Sequence, residues 1–186
     1  TYTEEDIIGG MQSCYASLAK EIETKFGIVP TRFGSIGISA MMHGYMAFDE
    51  NDNLLVPFRT WRNTITAEAS EELTELFGFP IPQRWSIAHL YQCILAKEEH
   101  LTRLSHLTTL AGYIHYLLTG RRVLGIGEAS GMFPIDSDKL CYNEEMLDKF
   151  DRLHNCPWKI RDILPSVLVA GENAGSLTND GAAFLD

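Results

Sequence analysis

The chain has 186 residues, 45% of them hydrophobic, which is the length of one domain with enough apolar material for a packed interior. Its 25 Asp and Glu against 15 Lys and Arg give a net charge of −10, which argues against nucleic acid and anionic membrane surfaces as partners, since both select basic surfaces. The four cysteines, Cys14, Cys93, Cys141 and Cys156, form no C-x-x-C pair, so they fit a reducing cytoplasm better than a zinc or dithiol site. No apolar run approaches the roughly 20 residues that span a bilayer, and no basic, apolar leader is apparent. The opening at Thr1, without Met, reads as a natural protein that begins upstream.

Ile7, Met11, Tyr15, Leu18, Ile22 and Phe26 recur at helical spacing. Thr3 and Asp6 form a capping-box start, and Gly27 is the stop. Phe33 to Ala40 is small and apolar in period two, and predicts a buried strand. Tyr45–Phe48 and Leu54–Trp61 predict two strands joined by a polar turn over residues 49–53. Ile65, Ala69, Leu73 and Leu76 mark a second helix closed by Gly78. Ser86 is placed as the cap of a third helix, carrying Ile87, Leu90, Tyr91 and Ile94 on one face. Leu107 to Leu118 gives a fourth, ended by Gly120, and Asn143–Phe150 a short fifth. The tail from Ile163, with Pro165, Gly171 and Gly175, predicts loops around one extended piece. The pattern is one domain of α/β class, with mixed strands first and helices after.

Several familiar patterns fail. Gly125-Ile126-Gly127 opens like a dinucleotide fingerprint, but its sixth position is Ser130 and no strand–helix context is evident. Asp49, Asn51 and Asn53 imitate a calcium loop, but Leu54 stands where Gly is required and Thr60 where Glu is required. There is no P-loop. His89, His100, His106, His115 and His154 lack ligand partners at productive sequence spacing, so a structural role is expected for them.

One region stands apart. The strand ending at Ile38-Ser39-Ala40 runs into Met41-Met42-His43-Gly44, and the following hairpin leads to Thr60-Trp61-Arg62-Asn63-Thr64. Ligands of open α/β sheets collect at the carboxyl ends of strands. His43 can donate to or accept from a hydroxyl, and Asn63 can do both. Trp61 offers a flat apolar wall for the C–H face of a sugar. The competing reading puts Trp61 in the core and makes Asn63 a helix cap. The residues alone leave both open.

This stretch resembles the FGGY carbohydrate kinases, nearest to the xylulokinase-like branch. There a strand ends in Gln-Met-His-Gly, matched by Met42-His43-Gly44 with Met41 in place of Gln. A later strand ends in Trp-x-Asp-x-Arg, matched by Trp61 and Asn63 with Asn for Asp. Tyr113–Gly120, Glu128–Asp136, Ile163-Leu164-Pro165 and Ala170–Gly175 resemble further family segments in the family's order. The likeness therefore covers nearly the whole chain. It implies the first lobe of the ribonuclease H-like, actin-like ATPase fold, lacking its opening strands, so that residues 1–186 form a partial N-terminal domain. It also implies a cytoplasmic parent enzyme that uses ATP and Mg2+ to phosphorylate a sugar hydroxyl, a ketopentose or related sugar being favoured. Met42, His43, Trp61 and Asn63 would bind the sugar. The Asp-x-Gly-Thr hairpin and the Gly-Gly-x-Asp base of the family are absent from residues 1–186. The base is therefore expected beyond Asp186, and this segment is expected to bind neither ATP nor Mg2+ and to be inactive alone. The expected partners are the sugar and the enzyme's own ATP-binding lobe, with a homodimer as a further option. An exposed sheet edge is expected along Gly34–Ala40. The alternative is a non-catalytic sugar- or protein-binding module derived from such a kinase.

Overall fold

A computed structural model describes residues 3–185. Helix α1 spans Glu4–Phe26. Its capping box is complete, with Thr3 Oγ1 accepting from Asp6 N and the Asp6 carboxylate accepting from Thr3 N. Gly27 ends it in the left-handed region at φ 66°. None of its residues is buried, and it touches the last helix, α8 (Asn179–Leu185). Gln12 Nε2 donates to Phe184 O across that contact.

The predicted strand at Phe33–Ala40 does not form. These residues carry no strand assignment, and Phe33 and Ile36 are each 48% exposed. Among the described residues, no backbone hydrogen bond ties residues 33–40 to a neighbour. A strand exists through its ladder, and period-two patterning cannot supply one. The exposed edge expected there is thus an exposed, unpaired segment.

Strand β1 (Met46–Phe48) is fully buried. Its ladder partner is not the Leu54–Trp61 segment but β2 (His106–Thr108), antiparallel, with Ala47 opposite Leu107. Leu54 and Arg59 make only isolated bridges, to Phe48 and Tyr45. Three steps separate Tyr45 from Phe48 and five separate Leu54 from Arg59, so two extra residues bulge out where Pro57, with no N–H, interrupts the ladder. The polar turn itself forms as expected. Asp49 Oδ1 accepts from Asn51 N at 2.9 Å and from Asn53 N at 3.0 Å.

Helix α2 (Ala67–Phe77) packs on α3 (Ser86–Leu95). Helix α4 (Leu110–Thr119) carries an N-cap bond from Gly112 N to Thr109 Oγ1. Strand β3 (Val123–Gly125) runs into a one-turn helix, α5 (Ile126–Ala129), and pairs in parallel with β6 (Ser166–Leu168). A strand–helix junction therefore does exist at Gly125-Ile126-Gly127, but its helix is a single turn and carries no fingerprint. A short hairpin, β4 (Ile135–Asp136) with β5 (Cys141–Tyr142), precedes α6 (Glu144–Asp151), capped by Asn143. Helix α7 (Ile160–Ile163) and β6 complete the tail, which holds more helix than its Gly and Pro content predicts.

The main core gathers Leu73, Phe77, Ile87, Leu90, Phe133 and Phe150 from α2, α3, α6 and the segment after α5. A smaller one joins Met46, Phe48 and Phe58 to Leu110 and Tyr113. The four cysteines are unpaired. Among the described residues, no helix is long and apolar enough to cross a membrane.

Candidate functional site

The chain enters β1 through a tight turn at His43 and Gly44, both left-handed, with φ 63° and 87°. At Gly44 only glycine fits, because a Cβ would stand 2.6 Å from Arg59 O. At His43 the conformation is uncommon for a residue with a side chain, and such positions persist where the surroundings over-determine them. The surroundings here are the start of α3. Gly44 N donates to Arg84 O at 3.3 Å, and Ser86 Oγ donates to Gly44 O at 2.6 Å. Ser86 is therefore not the cap of α3. It is the first helical residue, and its hydroxyl is spent on anchoring the turn.

The imidazole is fixed from both sides. Arg84 Nε lies 3.2 Å from His43 Nε2, and His43 Nδ1 lies 3.2 Å from Gly131 O. Arginine only donates, so Nε2 accepts, and Nδ1 carries the proton and donates to the carbonyl. Gly131 O also accepts from Ser86 N, at 3.4 Å. A Cβ at Gly131 would stand 2.4 Å from His43 Nδ1 and 3.1 Å from Met42 Cε. Gly131 thus lets the histidine and methionine side chains lie down on its backbone. Met42 remains 37% exposed beside them.

Thr60, the residue before Trp61, lies against this turn: a Cβ at Gly44 would stand 3.5 Å from Thr60 Cα, and Tyr45 bridges Arg59. Trp61 is 45% exposed, so it is not a core residue. The Arg62 guanidinium sits over its ring at 5.3 Å. Asn63 lies two residues on, and its Oδ1 accepts from Ile65 N at 3.1 Å. It caps this turn rather than α2, whose N-cap is Thr66. Asn63→Asp keeps the acceptor but loses the Nδ2–H donors. We expect its stability to stay within about 0.5 kcal/mol of the parent, while a sugar panel on the two proteins shows altered preference; an identical panel would leave Asn63 a turn residue only.

The larger clefts lie elsewhere. One of about 600 Å³ runs between Ile36–Ala40, β3, and residues 168–174, with Glu128 in its wall. Another of about 640 Å³ lies between the Val29–Ile38 segment and α8. Met42, His43, Trp61 and Asn63 line neither. Sequence reasoning missed Arg84, Ser86 and Gly131 as partners of His43. Arg84 and Ser86 flank Trp85 at a helix start, where polar residues are read as caps.

Sequence spacing shows no metal set, yet the fold brings Cys93, Glu98 and His100 together within 4.8 Å. The cation among them is Arg59. Its Nη1 and Nη2 meet Glu98 Oε1 and Oε2 at 3.0 and 2.6 Å, and Nη1 lies 3.1 Å from Cys93 Sγ. Burial pushes the Cys93 thiol up to about 12, so no thiolate is offered. Tyr45 OH and His100 Nε2 lie 2.8 Å apart and extend the network. These residues do not fit a magnesium ion, which wants several oxygen ligands and water.

Residues 1–185 match the family described as "FGGY family of carbohydrate kinases, N-terminal domain". A xylulose kinase of Lactococcus lactis subsp. lactis is 23% identical over 176 residues, covering 90% of this chain and 33% of that protein. The chain thus spans about a third of that relative's length. Among solved structures, a "xyloylose kinase" from Brucella ovis superposes with a TM-score of 0.79 at 18% identity, covering 96% of this chain and 37% of the other. A gluconate kinase from Lactobacillus acidophilus gives 0.78 at 17% identity, covering 98% and 36%. These likenesses place the α/β fold with the ribonuclease H-like, actin-like ATPase fold.

Proposed function

The chain belongs to the FGGY family of carbohydrate kinases, and on that premise we propose that the complete protein is a cytoplasmic enzyme that transfers the γ-phosphate of ATP to a sugar hydroxyl. Residues 1–186 are its sugar-recognition portion, a partial N-terminal domain. The Met42-His43-Gly44 sequence supports a ketopentose or related sugar. The solved neighbours, named for xylulose and for gluconate, set the two chemical types to compare, a neutral ketose and an anionic aldonate.

The observation that carries this reading is the His43 turn. A histidine in a rare backbone conformation, with both ring nitrogens bonded to Gly131 and Arg84, holds a preorganised turn beside the exposed Met42. Preorganised positioning of the acceptor hydroxyl is a large part of phosphoryl transfer, where the protein has little covalent chemistry to perform. The role assigned to these residues is to hold and orient the sugar. ATP and Mg2+ are assigned to the ATP-binding lobe of the same enzyme, as membership of the family implies. No proton-transfer step is assigned to this chain.

His43→Ala tests the reading. In the complete enzyme we expect kcat/KM for the sugar to fall about 10- to 100-fold, roughly 1–3 kcal/mol, because the Arg84 and Gly131 contacts that position the turn are lost. The thermal midpoint should stay near the parent's. Unchanged kinetics in a folded His43→Ala protein would remove His43 from the sugar site.

A further inference from the structure

We propose that Arg84 is a positioning residue of the sugar site: its side chain touches no sugar and acts wholly through His43, holding the imidazole so that the Met42-His43-Gly44 turn keeps its shape. The proposal rests on the sugar-kinase reading and deepens it.

Arg84 stands on a fixed base. Ser70 Oγ donates to Ile81 O at 2.5 Å, and Thr66 Oγ1 donates to Gln83 O at 2.6 Å. Trp85 N donates to Pro82 O at 3.0 Å. The segment before α3 is thus pinned to the start of α2 and folded on itself. From that base Arg84 meets the turn twice, by its carbonyl at Gly44 N and by its guanidinium at His43 Nε2. Among the described residues, no other hydrogen-bonds the His43-Gly44 turn through both backbone and side chain. The two contacts are separable. The carbonyl bond belongs to the backbone, so a side-chain change at position 84 removes the Nε contact alone.

That contact matters because His43 is held in a left-handed conformation that the surroundings must over-determine. A neutral imidazole has one donor and one acceptor nitrogen. Gly131 O takes the donor, and Arg84 Nε donates to the acceptor. Neither ring nitrogen is left for a sugar hydroxyl, so the ring's part is to hold the turn. Without the guanidinium the ring is tethered at Nδ1 alone and can swing about that bond. Met42 is disturbed with it, because both side chains lie over Gly131, where a Cβ would stand 2.4 Å from His43 Nδ1 and 3.1 Å from Met42 Cε. Arg84 is itself exposed, so losing its side chain opens no cavity in the core. The expected signature is therefore kinetic, with stability unmoved.

A double-mutant cycle in the complete protein tests the proposal. Arg84→Met removes the Nε donor. His43→Asn removes the Nε2 acceptor but keeps a residue that tolerates the left-handed region and an amide donor at the Nδ1 position. We expect Arg84→Met to lower kcat/KM for the sugar about tenfold, with the KM for ATP and the thermal midpoint unchanged. His43→Asn should be less impaired than His43→Ala. In the His43→Asn background, adding Arg84→Met should cost less than about twofold. Unchanged kinetics in Arg84→Met would overturn the proposal and leave the kinase reading standing. So would an equal loss in both backgrounds, which puts Arg84 on the sugar itself, or a loss that tracks a lowered thermal midpoint. His43→Asn no better than His43→Ala would also overturn it, by giving Nε2 a role of its own. A parent protein that phosphorylates no sugar with magnesium–ATP would sink the kinase reading and the proposal with it.

Discussion

Glu98→Ala is expected to destabilise the protein by about 3 kcal/mol, far more than loss of a surface ion pair. Glu98 receives both Nη groups of Arg59, and the two side chains are 26% and 18% exposed. Hydrogen bonding to Arg59 holds the Glu98 carboxyl below its ordinary range. Removing the carboxylate strands a guanidinium over the Tyr45 ring, 5.6 Å away, and against the buried Cys93 thiol. Arg59 also pairs through its backbone with Tyr45 at the base of the His43 turn, so the damage should spread toward the site. The control is Glu145→Ala, whose partner is Lys149 one helical turn on, with Glu145 78% exposed; about 0.3–0.5 kcal/mol is expected there. Urea unfolding separates the two, with the midpoint moving and the slope constant. Equal, small shifts in both variants would mean that the buried pair contributes no more than a surface one. Replacing Arg59 and Glu98 together by Met and Leu should recover most of the loss, because the penalty lies in the unpaired charge.

How far the fold can be read from the sequence depends on whether the deciding contact is local. Helix α1 could be read to the residue because Thr3, Asp6 and Gly27 act within one turn of its ends. Gly78 and Gly120 end α2 and α4 for the same reason. Phe33–Ala40 has strand patterning, but a strand needs a neighbour many residues away, and no pattern within the segment reports that. The hairpin after Asp49 was legible in its turn and not in its ladder, since Pro57 shifts one arm and β2 takes the pairing. At the site, Met42, His43, Trp61 and Asn63 stood out through resemblance and residue chemistry. What fixes His43, the Gly131 carbonyl 88 residues on and Arg84 41 residues on, is tertiary. Gly131 leaves a signal only in hindsight, as a small residue in the Ala129-Ser130-Gly131 segment where a backbone must be approached closely. Cys93, Glu98 and His100 lie close in sequence but became a cluster only when α3 and the 3-10 helix Glu99–Arg103 folded them around Arg59.

The second large effect is loss of stability in mild acid. Burial drives His89 and His106 down to about 4 from an ordinary value of 6.5. His89 is 0% exposed and neither ring nitrogen has a protein partner, while His106 is 7% exposed and stacked on Phe48. Both are neutral in the folded state and free to protonate once unfolded. Between pH 6.5 and about 4 the unfolded chain therefore binds more protons than the folded one, so stability is full above 6.5 and falls as the pH drops. Each histidine accounts for roughly 3 kcal/mol at the acid end of the window. Burial pushes His100 and His154 the same way. Glu98 and Asp49, held below their ordinary values by Arg59 and by Asn53, titrate mostly below this window and blur it little. For a domain with about 5–15 kcal/mol in hand, two such groups bring unfolding within reach near pH 4.5. His89→Leu removes an imidazole without breaking a protein hydrogen bond, so it should be neutral or stabilising at pH 7. Combined with His106→Phe, it should flatten the profile between pH 6.5 and 4.5. Unfolding free energies measured at half-unit steps of pH decide the matter. A flat profile for the parent protein, or an equally steep one for the double variant, would show that the acid sensitivity lies in other groups.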